Sequence, residues 1–233
     1  MQVKKLKELF AQYTAFLQTE AAQTYTHLWE TQSNFLAHWD LEEHDLAEMF
    51  DRSLQNDRTQ RIWNRQAYEP KRILLLFAEL FPDFLIQMFN DLYNEEKSME
   101  SRVQRFGFYW EQLLVEYREQ NKGTKLNEHY HNDGYEITSY YLAFRYPEQY
   151  IPYQMERFQL FLKKVGSHDI PLAHDIERYF KVMRTIKKLV VKEESLLEAH
   201  YNRMQKVEHR VPDSLLLVFD FVWYSTRELP YYF

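Results

Sequence analysis

The chain has 233 residues, a formal net charge of −6 and no cysteine. Its length suffices for one large domain with a real core. The missing cysteines exclude disulfides, cysteine-ligated zinc and thiol catalysis. The acidic balance leaves no global basic field that would advertise nucleic acid, so any such contact must come from a local patch. With 18 Tyr and 17 Phe against 4 Gly and 7 Pro, side chains are large and helix breakers few. An all-α fold is expected from that balance, as a single multi-helix domain or two packed helical subdomains.

The N-terminus, MQVKKLKELF, opens an amphipathic helix and lacks the apolar core and cleavage site of a signal peptide. Val3, Leu6, Phe10, Tyr13, Leu17, Leu28 and Trp29 fall at largely helical spacing, predicting helix from 3 to about 29. Asp40-Leu-Glu-Glu43 resembles a capping box that opens a helix through Leu46, Phe50 and Leu54. Residues 1–56 form an N-terminal helical segment on this reading, continuous with a region over 57–233. Ile73, Phe77, Leu80, Phe84, Met88 and Leu92 keep the 3.6 period, and Pro82 inside it either kinks one helix or starts a second. Residues 98 to 118 predict a helix with Val103, Phe106, Trp110, Leu113, Leu114 and Tyr117 inward. Asn121 to Gly134 is a long polar connection whose Asn132 and Asp133 are placed to cap the next helix.

That next helix buries Ile137, Tyr141 and Phe144 and should stop near Arg145, ahead of Tyr146-Pro147. Pro152 suits the first turn of another, with Met155, Phe158, Leu162 and Val165 inward and Gly166 as its stop. Pro171 predicts the start of a helix to about Val191 that buries Leu172, Ile176, Phe180, Met183, Ile186 and Val190. A further helix spans Glu193 to Val207 through Leu197, Tyr201 and Met204. The run LLLVFDFVWY is helix or buried strand, and Ser214 as cap favours helix. It is too short to cross a bilayer and is interrupted by Asp220, so a soluble, cytoplasmic protein with no membrane contact is expected.

Three sets of residues carry candidate chemistry. His129, His131 and Asp133 stand at i, i+2 and i+4, and on an extended segment they share a face. Imidazole and carboxylate suit zinc, manganese or iron, but the same residues also serve to cap and order a loop. No cofactor is expected. Tyr130, Tyr140, Tyr146, Tyr150 and Tyr153 offer material for a pocket that stacks a base, or for helix packing with hydroxyls at the surface. Arg58, Arg61 and Arg65 form one basic face, and Lys181, Arg184, Lys188 and Lys192, with Lys187 beside them, form another. Such rows follow a phosphate backbone, or are solvated faces paired with acids such as Glu177, Glu193 and Glu194. Adjacent carboxylates such as Glu95-Glu96 diverge on a helix, and no nucleophile elbow appears. No enzymatic activity is therefore expected.

The strings DLYNEEKSMESRVQRF (91–106), HYHNDGYEITSYYLAFRYPEQYIPY (129–153), IPLAHDIERYFKVMRTI (170–186) and LLLVFDFVW (215–223) together resemble the N-terminal region of McrB-like AAA+ ATPases. These are the motor subunits of bacterial modification-dependent restriction and related antiviral defence systems. The similarity covers roughly residues 60 to 225. It implies a target-recognition part that binds nucleic acid, including DNA with a modified base. It also implies an AAA+ motor in cis or in trans and a McrC-like nuclease as partners. The chain departs from the full pattern in having no G-x-x-x-x-G-K-[ST], so nucleotide hydrolysis is not implied. The chain is then either a recognition region from a longer protein or a stand-alone relative. The rival readings are a protein-interaction module without DNA contact and a His/Asp metal-dependent enzyme.

Overall fold

A computed structural model describes residues 1–55, 70–123, 135–205 and 214–229. The described residues are all-α: helices and their connections, with no strand among them. α1 (Val3–Leu17) buries Leu6, Phe10, Tyr13 and Leu17, one residue per turn. The helix does not run on to residue 29. The Thr19 hydroxyl donates to the Phe16 carbonyl (2.7 Å) and accepts from the Ala22 amide (3.4 Å). A threonine that engages both backbone groups competes with helix continuation. The chain restarts as the single turn α2 (Glu20–Gln23) and then α3 (His27–His38).

α4 (Leu46–Ser53) is capped by Asp45, whose Oδ1 accepts from the Glu48 amide at 2.9 Å. The expected cap, Asp40, instead closes a local turn by accepting from the Glu42 amide. α5 (Pro70–Leu80) and α6 (Pro82–Tyr93) are separate helices: Phe81, at φ −136°, lies between them and Pro82 enters the first turn of α6. α7 (Met99–Gln120) starts on the Ser98 cap. α8 (Glu136–Arg145) stops where Tyr146-Pro147 predicts.

Pro152 lies outside α9 (Met155–Lys164). Its carbonyl accepts from the Tyr179 hydroxyl (2.6 Å), and the next amide, Tyr153, donates to Ser139 Oγ (2.7 Å). Gly166 ends α9 in the left-handed region, at φ +64°. α10 (Ile176–Val190) opens at the Asp175 cap, not at Pro171, so Leu172 stays 94% exposed instead of buried. α11 (Glu194–Met204) turns Leu196, Ala199, His200 and Arg203 inward, and the expected core residue Tyr201 faces out. α12 (Leu216–Ser225) settles the ambiguous apolar run as helix.

Two helices are buried all round: α8 from Ile137 to Phe144 and α12 from Leu216 to Trp223. Helices without a polar face are packed on every side by others. α12 lies against α1, α9 and α10, while α8 lies against α3 and α7. α4 packs on α3 and α5, and α6 on α5 and α7. Trp39 gathers Phe35, Phe50, Phe89 and Tyr141 within 4.3–6.0 Å, and Phe221 on α12 gathers Phe10, Tyr13 and Phe161 within 4.8–5.8 Å. Residues from α1 through α12 share one hydrophobic cluster. Among the described residues no helix is long and apolar enough to cross a membrane.

Candidate functional site

The helical period of α10 assigns its two faces. Ile176, Tyr179, Phe180, Met183, Ile186 and Val190 point into the core, leaving Lys181, Arg184 and Lys188 exposed. Lys192 is exposed in the turn that follows. None of these four cations has a carboxylate within ion-pair distance among the described residues. Pairing with Glu177, Glu193 or Glu194 is therefore not how this face is compensated. Lys187 is half-buried, and its Nζ lies 3.5 Å from the Ser214 carbonyl beside the start of α12.

Lys181 and Arg184 form one wall of a cleft of about 830 Å³. The opposite side is made by the start of α7, the turn after α6 and the segment 148–150. Arg184 Nη1 donates across to the Gln149 carbonyl at 3.3 Å. Arg102, only 3% exposed, lines the cleft from α7. Its Nη1 donates to the Leu92 carbonyl (2.9 Å), which ends α6, and its Nη2 donates to the Tyr150 hydroxyl (2.8 Å). That hydroxyl donates onward to Glu95 Oε1 (2.7 Å), and Gln149 Nε2 donates to Glu95 Oε2 (3.3 Å). The relay fixes the segment 148–150 against α6 and α7 and holds the cleft open toward α10. Burial pushes the Tyr150 hydroxyl above its ordinary value; the Arg102 hydrogen bond opposes this and the bond to Glu95 adds to it. Tyr150 thus keeps its proton at neutral pH and serves as a bridge between a cation and an anion.

Only part of the expected tyrosine pocket survives as a surface. Tyr150 (5% exposed) packs edge-on to Phe180 at 5.3 Å, and Tyr153 (1% exposed) packs edge-on to Tyr179 at 4.9 Å. The Tyr153 hydroxyl is 3.1 Å from His174 Nδ1. Tyr140 is fully buried in α8. Tyr146 is half-buried between Tyr93 and Tyr150, with the Arg145 guanidinium 5.5 Å above its ring. The faces of Tyr150 and Tyr153 are covered by neighbouring rings, so they cannot sandwich a base. They are core residues of an aromatic-rich fold.

Tyr130, His129, His131 and Asp133 lie outside the described residues, as do Arg58, Arg61 and Arg65. Among the described residues no group of three His, Asp or Glu side chains could hold a metal ion.

No family model, no curated protein and no solved structure matches this chain.

The cleft's two key contributors, Arg102 and Glu95, are not singled out by motif. Arg102 did carry a signal: it stands on the inward stripe of α7, one residue before Val103, where a charge demands an internal partner. Glu95 carried none, because its partner Tyr150 is 55 residues away.

Proposed function

We propose that this chain is a non-catalytic recognition module that binds nucleic acid along α10, as the target-recognition part of a McrB-like bacterial defence system. The observation that carries the reading is the row Lys181, Arg184 and Lys188. It is exposed, unpaired by carboxylates among the described residues, and set on a rigid helix whose other face is core. Cations held three or four residues apart on a helix follow a phosphate backbone, and each neutralised phosphate releases counterions. The four strings quoted above supply the link to McrB-like proteins, and with it the AAA+ motor, the McrC-like nuclease and a cytoplasmic setting. Inspection of a modified base belongs to the same reading, but it needs a surface other than the faces of Tyr150 and Tyr153.

The test is a low-salt mobility-shift assay with duplex DNA, with and without modified cytosine. Replacing Lys181, Arg184 and Lys188 together by Glu is expected to abolish retention while leaving the helical circular-dichroism signal and the unfolding midpoint unchanged. Retention equal to that of the unaltered chain removes this face from the proposal. A second reading, a protein-interaction module, is favoured by the balance of the cleft. Arg102, Arg178, Lys181 and Arg184 are matched there by Glu95, Glu148, Asp175 and Glu177. The slope of a salt titration separates the two: binding through several phosphates releases condensed counterions and weakens steeply with salt, whereas a contact with a protein across this charge-balanced cleft weakens far less.

A further inference from the structure

A second concave site lies at the opposite end of α12 from Ser214, and it is independent of α10. The last turn of α1 contributes Phe16, the connection between α2 and α3 contributes Tyr25, and the last turn of α12 contributes Trp223 and Tyr224. Phe16 stacks on Tyr224 (4.7 Å, 25°), and Tyr25 lies 4.6 Å from Trp223. Phe16 joins the two pairs, at 6.2 Å from Tyr25 and 6.4 Å from Trp223. The four rings line a depression of about 720 Å³, and Phe16, Tyr25 and Tyr224 remain half-exposed in it. This volume falls within the roughly 300–1,000 Å³ of small-ligand sites. Most rings of the fold are buried, Phe108 and Tyr201 being exposed exceptions, and four rings lining one concave depression form a surface suited to contact.

Two charged side chains line the depression, Arg227 and Glu228, and only Arg227 is left without an ion-pair partner among the described residues. The Arg227 guanidinium lies 4.3 Å over the Tyr224 ring, and its Nη1 donates to the Tyr224 carbonyl at 3.0 Å. Arg227 is exposed and has no carboxylate within ion-pair distance among the described residues. The neighbouring Glu228 is occupied by Lys164, at 2.5 Å, which also donates to the Ser225 carbonyl at 2.6 Å. A stacked guanidinium has lost most of its freedom and keeps donors free to fork onto an anion.

We propose that this depression binds a small planar aromatic ligand bearing a carboxylate or a phosphate. The ring system enters among Phe16, Tyr25, Trp223 and Tyr224, and the anionic group meets Arg227. The charge selects the class. A site built for an apolar group alone has no use for an unpaired cation pinned on its wall, and a cationic ligand would be repelled by it.

The test uses isothermal titration of the whole chain with 1-naphthoate and 1-naphthyl phosphate, and with neutral 1-naphthylmethanol as comparison. The two anions should bind saturably, and the neutral analogue about tenfold more weakly, the worth of one charge-assisted contact. Arg227→Gln should bring both anions down to the neutral analogue's affinity and leave that analogue unaffected. Phe16→Ala should weaken all three ligands. The Lys181→Glu, Arg184→Glu variant should bind them as the unaltered chain does, which separates this site from the α10 face. Overturning results are the absence of saturable binding of either anion, equal affinity for the neutral analogue, or Arg227→Gln binding the anions unchanged. Loss of binding in the Lys181/Arg184 variant with Arg227→Gln unaffected also overturns the proposal, because it places the ligands in the other cleft.

Discussion

Asp220 stands in the most apolar run of the chain, yet it is 4% exposed at the centre of the core. Its Oδ2 accepts from the Tyr13 hydroxyl at 2.5 Å and pairs with Arg203 Nη1 at 2.8 Å. The Arg203 guanidinium lies 4.8 Å over the Trp29 ring, with Nη2 3.3 Å from His200 Nδ1. Four helices, α1, α3, α11 and α12, thus meet on one buried charge pair. Removing a buried charge from water costs several kcal/mol, and the pair persists because each member satisfies the other. Replacing Asp220 by Asn leaves Arg203 buried and uncompensated. It should cost about 3–5 kcal/mol in urea unfolding. The double replacement Asp220→Leu, Arg203→Met should cost less than Asp220→Asn alone, because it leaves no charge behind. A larger loss for the double variant would mean that the pair contributes through packing.

At the scale of elements, caps decide boundaries more than periodicity does. The stripe Leu46, Phe50, Leu54 is legible in the sequence, but its pattern points to a cap at Asp40 and the helix opens at Asp45. Both aspartates precede apolar positions, and only Asp45 reaches an amide three residues on. The same holds for α10, where Asp175 and not Pro171 sets the start. Asp45→Ala should therefore destabilise the chain by about 1 kcal/mol. Asp40→Ala, which only opens an exposed turn, should cost a few tenths. Thermal unfolding of the two variants side by side checks this, and an equal or larger loss at Asp40 would restore it as the cap. The buried faces of α7 and α10 were read correctly because each alternates a single apolar stripe with charge. On α11 Met204 is buried and Leu197 packs against the core as the pattern predicts, but Tyr201 faces out, and the inward face also includes His200 and Arg203, which a hydrophobic pattern counts as solvent-facing.

Over the whole molecule, the unusual wealth of aromatic residues has a consequence for pH. Burial pushes the hydroxyls of Tyr13, Tyr93 and Tyr179 well above their ordinary range, that of Tyr150 above it, and that of Tyr153 up to about 12. The folded state then holds these protons more tightly than the unfolded chain does. Their contribution is complete below the ordinary tyrosine value near pH 10 and is lost as pH rises through the raised values. Urea midpoints should be flat with respect to tyrosine ionisation up to about pH 9 and fall above about pH 10. Tyrosinate absorbance for these residues should appear only together with unfolding. Their titration near pH 10 with the helical signal intact would show that they are open to solvent.

The sequence by itself determined the all-helical class, most helix registers, an interruption at Pro82 as either a kink or a break, and the cation row of α10. These are local consequences of side-chain period, breaker placement and charge. Only the tertiary structure decided that Tyr150 belongs to a relay with Arg102 and Glu95 and that Tyr153 is core. It alone brought Phe16, Tyr25 and Trp223 to one depression. Those assignments depend on which helices meet, and such contacts join residues tens to hundreds of positions apart, beyond the reach of any spacing rule.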